Sequence, residues 1–192
     1  RKFMASLNKN VFKRAFPILW ALSGSSIHKA TPHADAIIAR IMLEMPEAHV
    51  ILTGDEACQL LESGWEAEPR VHLRSNKLTI RESITLAQEA ALVVGPETGV
   101  LNAVAFEEVP KVIFMSHSST ENLTKHWKNT VSLIPPKTEC YPCHRLHFTS
   151  EFCHLEPDTH AAMCQFNITP EQAFEPIYAA YRAWKMRQLV AA

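Results

Sequence analysis

Apolar and polar positions alternate in blocks along this chain. Short, nearly continuous apolar runs at 17–22, 49–53, 71–73, 91–94, 110–115 and 130–134 predict strands buried on both faces. Between them, apolar residues recur every three or four positions and predict helices. Pro32 opens one that runs to about Glu44, with Ile37, Ile38, Ile41 and Met42 on one face. A second carries Leu60 and Leu61, and a third starts at Thr79, where Glu82 three residues on makes a capping box, and continues to about Ala90. Further helices are expected at 99–107 and 120–126, and a last one runs from Thr169 and Pro170 to about Leu189, with Phe174, Ile177, Tyr178, Tyr181 and Trp184 on its apolar face. Strands and helices taking turns with short connections mean an α/β fold: a doubly wound parallel sheet of order 3-2-1-4-5-6. Residues 135–168 interrupt the alternation as a Cys-rich insertion before the last helix, and residues 1–16 read as a linker or lead-in helix ahead of a single domain over 17–192.

Composition narrows the classes. The 192 residues are 47% hydrophobic and carry a net charge of -1, so neither nucleic acid nor a membrane surface is advertised as a partner. No apolar run reaches the roughly 20 residues of a membrane span, and no signal peptide is visible. A cytoplasmic location is expected, with peripheral attachment at the inner membrane as a variant. The chain opens on Arg1-Lys2 without Met and reads as a piece of a longer protein.

The stretch most informative about function is Leu92-Val93-Val94-Gly95-Pro96-Glu97-Thr98-Gly99-Val100-Leu101-Asn102-Ala103. A strand ends in a glycine turn, an acid and a hydroxyl follow, and a second glycine opens a helix. Polar groups at the carboxyl end of such a strand, with free N–H groups of a helix start, suit an anion, most often phosphate. Neither the dinucleotide fingerprint nor the P-loop pattern is present. After the first strand, Ser23-Gly24-Ser25-Ser26-Ile27-His28-Lys29 offers small residues for close backbone approach and a lysine suited to phosphate. In the expected strand order these two loops face each other across one crevice.

Five cysteines are present. Cys58 reads as a buried small residue. The series Cys140-x2-Cys143-x9-Cys153-x10-Cys164 suits a tetrahedral structural zinc site, with reduced packing thiols and two disulfides as the alternatives. Four protein ligands would leave no open position for catalysis. His33, His49, His72, His117 and His126 are scattered without consistent partners and read as surface or structural residues; Glu107-Glu108 reads as a solvated turn. Asn122-Leu123-Thr124 and Asn167-Ile168-Thr169 match glycosylation sequons, which carry no weight without secretion.

Four stretches in order resemble the C-terminal half of family 9 glycosyltransferases, the group of the lipopolysaccharide heptosyltransferases. Ser25 through Pro32 is similar to the first loop with its phosphate-contacting lysine, here Lys29. The segment Ser75-Asn76-Lys77-Leu78-Thr79-Ile80-Arg81-Glu82 resembles the family's Gly-Lys-Thr-Ser-Leu-x-Glu segment. Glu97-Thr98-Gly99-Val100-Leu101-Asn102-Ala103 resembles the Asp-Thr-Gly-x-x-His-x-Ala signature, and Cys140-Tyr141-Pro142-Cys143 the Cys-x-Pro-Cys tail. Glu97 replaces the usual Asp, Asn102 the usual His, the glycine before Lys77 is absent, and Phe106–Pro110 replaces Leu-Gly-x-Pro. The resemblance implies a Rossmann-like half of a GT-B enzyme that binds a nucleotide diphosphate-sugar, with Ser25, Lys29, Lys77, Glu97, Thr98, Gly99 and Asn102 as binding residues. It implies inverting, metal-independent transfer of a heptose-like sugar to a lipopolysaccharide or other glycan acceptor. The acceptor site and the catalytic base would lie in the other half, and this chain offers no candidate for the base. The alternative is a non-catalytic nucleotide- or partner-binding module with a structural zinc.

Overall fold

The computed structural model describes residues 14–24, 26, 29–145 and 153–191. Residues 1–13 of the lead-in, Ser25, Ile27, His28 and His147 lie outside these. Six strands, β1 (Phe16–Ala21), β2 (Ala48–Thr53), β3 (Val71–Leu73), β4 (Leu92–Pro96), β5 (Lys111–Phe114) and β6 (Thr130–Leu133), form one sheet in the order β3-β2-β1-β4-β5-β6. Every pairing is parallel. The helices are α1 (Ala34–Glu44), α2 (Ile80–Glu89), α3 (Gly99–Ala103), α4 (Met163–Phe166) and α5 (Pro170–Ala191).

The apolar runs are continuous because the sheet is covered on both faces. Phe16, Ile18 and Trp20 of β1 pack with Ile37, Ile38 and Ile41 of α1 and with Phe174 and Ile177 of α5. Leu19 and Ala21, one residue out of phase, join Leu86, Ala87 and Leu101 on the opposite face. Each of the larger aliphatic and Phe side chains, fully buried, contributes about 1.5–3 kcal/mol of transfer free energy. Gly95 is required by close approach: a Cβ there would stand 2.6 Å from the Ala21 carbonyl oxygen of the neighbouring strand.

Three expected helices differ. The segment around Leu60 is a 3-10 helix, Ala57–Glu62, pinned because the Asp55 carboxylate accepts from the Cys58 N–H at 3.1 Å. The helix expected over 99–107 ends at Ala103, where Val104 N–H turns back to the Leu101 carbonyl. Residues 120–126 form consecutive turns instead of a helix. So short a segment gains little from its few backbone bonds, and the Thr124 hydroxyl reaches across to Ser132 Oγ at 2.7 Å. The capping box at Thr79 and Glu82 forms as expected, with both reciprocal bonds made.

Candidate functional site

The carboxyl ends of β1, β2, β4 and β5 open on the same edge of the sheet, with the change of strand order between β1 and β4. The β1 and β4 loops touch there: a Cβ on Gly24 would lie 3.0 Å from the Glu97 carbonyl oxygen. Between the β1, β2 and β4 loops lies a cavity of about 300 Å³, lined in part by Ser23, Gly24, Gly54, Asp55, Thr98 and Gly99. Its wall is mostly small side chains and backbone, with Leu78, Ile80 and Val100 supplying apolar surface.

Glu97 does not point into solvent. It is 8% exposed, and its carboxylate accepts from the backbone N–H groups of Ser116, His117 and Ser118 at 3.1, 3.2 and 3.0 Å. The Ser116 hydroxyl donates to it at 2.8 Å and the His117 ring pairs with it through Nδ1. Burial alone would raise its pKa, but the bonds from His117 and Ser116 outweigh burial and hold it below the ordinary carboxylate value. Glu97 thus clamps the β5 loop to the β4 loop. Lys29 is only 4% exposed, and its Nζ lies 3.5 Å from His117 Nδ1. Thr98 uses its hydroxyl to cap α3, accepting from Leu101 N–H at 3.3 Å. Gly99 faces open space, with nothing within 4 Å of an added Cβ.

The fold therefore brings Lys29, Glu97, Thr98 and Gly99 together. Asn102 is exposed on α3. Lys77 is exposed and donates to the Leu73 carbonyl at 3.2 Å. The residue that sequence reasoning missed is His117, expected to be a surface or structural histidine. It follows β5 by only a few residues, which places it at a ligand-binding strand end, but its partner Glu97 is twenty positions away and no spacing rule links them. Lys111 was missed as well. It is buried, donates to the Glu107 and Val109 carbonyls at 2.9 and 2.7 Å, and ties the chain after α3 to β5. Burial pushes its amine below the usual lysine range.

Beyond Ser116, Cys140, Cys143, Cys153 and Cys164 all line a second cavity, of about 250 Å³. None of the five cysteines forms a disulfide. Burial, followed by the charges of Cys140, Cys153 and Cys143, pushes the Cys164 thiol up to about 12. Burial, then Cys143 and Cys140, also raises Cys153. Among the described residues no three metal-binding side chains are drawn to ligating distance of one point. The four thiols lie in mutual electrostatic reach of one another.

This is a doubly wound, Rossmann-like fold, with its polar loops gathered at the switch point of the sheet. Among solved structures, the Escherichia coli ADP-heptose lipopolysaccharide heptosyltransferase II superposes over 96% of this chain and 53% of its own, with a TM-score of 0.66 and 14% identity. The family 9 glycosyltransferase from Veillonella parvula covers 95% of this chain and 50% of its own, with a TM-score of 0.66 and 12% identity. The dodecameric iron-containing heptosyltransferase TibC, in complex with ADP-D-beta-D-heptose, covers 88% of this chain and 46% of its own, with a TM-score of 0.62 and 16% identity. The chain thus spans about half the length of each. No family model matches the sequence, and no curated protein matches it significantly.

Proposed function

We propose that this chain is the donor-binding, C-terminal half of a family 9 glycosyltransferase that transfers a heptose-like sugar from a nucleotide diphosphate-sugar such as ADP-heptose. The observation that carries this reading is the cavity between the β1, β2 and β4 loops, open at Gly99 and flanked by the Lys29–His117–Glu97 cluster. The nucleoside would lie in that cavity and the diphosphate beside the Gly99 backbone. The acceptor, a lipopolysaccharide core or another glycan, would be held by the other half of the enzyme, which also supplies the base. That base removes the proton from the acceptor hydroxyl. A bond forms from its oxygen to the anomeric carbon, with inversion, as the bond from that carbon to the phosphate oxygen breaks. The electron pair leaves with the nucleoside diphosphate, whose charge is met by Lys29 and the loop amides rather than by a metal. The reaction would take place in the cytoplasm, since nucleotide-sugars are cytoplasmic compounds; among the described residues no helix is long and apolar enough to cross a membrane.

The same reading gives the Cys-rich loop a structural metal held by Cys140, Cys143, Cys153 and Cys164. Zinc is the expected ion, and iron, which the TibC structures contain, suits four thiolates equally well. With four protein ligands it would staple the loop and take no part in transfer.

The test is calorimetric titration with ADP and ADP-heptose on the native protein and on Gly99→Val. An added Cβ at that position meets nothing within 4 Å, so the substitution should largely keep thermal stability while blocking the crevice. Native binding in the micromolar range, weakened about a hundredfold by the substitution, supports the reading. Equal binding by both proteins overturns it.

A further inference from the structure

The Glu97–His117 pair sits between the two cavities. Thr98, next to Glu97, lines the nucleoside-sized cavity; Ser116, next to His117, lines the cysteine cavity. The register that sets Pro96 beside Phe114 carries the β4 and β5 loops outward side by side from the sheet edge. A ligand whose nucleoside fills the first cavity and whose phosphates pass Gly99 would run along the β4 loop, to which Glu97 clamps the loop that carries His117. The ring is held from one side only. Its Nδ1 faces Glu97, with Ser116 Oγ at 3.3 Å and Lys29 Nζ at 3.5 Å. The ring is partly open, its side chain 18% exposed, and among the described residues Nε2 has no protein partner and is not among the buried polar atoms. With Nδ1–H given to the Glu97 carboxylate, the ring carries a second N–H, on the outward-turned Nε2, only as the imidazolium, and in that form it would present one directed donor to an anion.

We propose that His117 is a donor-binding residue, whose Nε2–H bonds the sugar-bearing phosphate of a nucleoside diphosphate-sugar, and that Glu97 is the positioning residue that aims it. The inference rests on the donor-binding reading above and adds the residue that grips the distal phosphate. It also gives the departures at Glu97 and Asn102 a shared sense. Asn102 cannot carry a positive charge. The longer Glu97 side chain reaches the β5 loop, where it holds an imidazole, His117, supplied from another strand.

The experiment compares ADP with AMP, since only ADP carries the second phosphate. Binding of each is measured by calorimetry on the native protein, His117→Gln, Glu97→Gln and the double variant, after circular dichroism has shown each to be folded. The native protein should prefer ADP. His117→Gln should weaken ADP binding about tenfold and leave AMP unchanged, as expected for one lost charge-assisted hydrogen bond. Glu97→Gln should also weaken ADP binding, but not further in the His117→Gln background, because Glu97 acts through the ring. Losses that simply add overturn the positioning role, and His117→Gln binding ADP as tightly as the native protein overturns the whole inference. If the native protein binds neither nucleotide, the donor-binding reading itself has failed; if it binds both but His117→Gln changes nothing, that reading stands and only the role of His117 falls. Should Glu97→Gln prove unfolded, the ADP-to-AMP ratio of His117→Gln alone decides.

Discussion

At the carboxyl end of β4, Glu97 is nearly removed from water, yet five donors converge on its carboxylate: three backbone N–H groups, a hydroxyl and an imidazole. On the far side of Ser116, four thiols share a cavity in which each ionised sulfur would repel the others. The two regions are neighbours with opposite electrostatic arrangements. The carboxylate is charged and satisfied by groups the fold already supplies. The thiols have no disulfide partner, and burial with their mutual charge raises Cys153 and Cys164 above the ordinary thiol value. On the proposed reading, the first region would serve a ligand that comes and goes and the second a permanent ion.

The comparison breaks most readily at the cysteines. Purified protein should contain about one zinc or iron per chain, and chelation should lower its stability by roughly 4 kcal/mol, the linkage expected for an ion near a thousand times its dissociation constant. Elemental analysis with thermal melts before and after a chelator checks this, and a metal-free protein with an unchanged melting temperature would return the thiols to simple packing residues.

A smaller effect is expected at Glu97. Glu97→Gln turns an amide NH₂ toward donors that need an acceptor and removes the partner of His117, costing about 2–3 kcal/mol in urea unfolding. Cost-free substitution would mean that the β5 loop is held by something other than this clamp.

The smallest of the three effects separates the regions from the rest of the sheet by pH. His49 and His72, on β2 and β3, stand with ring nitrogens 3.1 Å apart. Burial, then the charge of His49, holds His72 down to about 4 from an ordinary 6.5, and burial, then Arg70, lowers His49. The unfolded chain therefore takes up protons before the folded one does. Stability from this pair is whole above pH 6.5 and declines as pH falls from 6.5 to about 4. For partly exposed rings the loss is about 1–2 kcal/mol. Glu97, with its folded value depressed below 4.5, keeps its contribution until the pH drops under 4.5 and loses it as the pH falls through that depressed value. Urea titrations from pH 8 to 3 on the native protein, His72→Gln and Glu97→Gln should show the upper slope reduced in the first variant and the lower slope reduced in the second. One shared slope in all three would merge the two effects.

Much of this was legible from residue order alone. Continuous apolar runs gave the strands, since a parallel sheet covered on both faces needs side chains of the same kind at every position. The Thr79–Glu82 capping box is a contact over three residues and could be read directly. Both facing loops were placed correctly because the strand order follows from alternation and handedness. Segment 120–126 was misread because helical spacing over so few residues does not guarantee that a helix outcompetes side-chain bonds to a neighbouring strand. Lys29 reads from its loop as a lysine suited to phosphate, and only its neighbours in the fold show that it is buried.

The sequence by itself determined the alternating elements, the strand order they imply and the pairing of two polar loops at the switch point, because these depend on period, composition and short-range capping. Tertiary structure alone decided that Glu97 belongs to the β5 loop, that His117 belongs beside Lys29, and that four cysteines spread along a proline-rich loop meet in one cavity. Those are contacts between residues distant along the chain. Their energies come from burial and converging donors, which exist only once the sheet has brought its strand ends together.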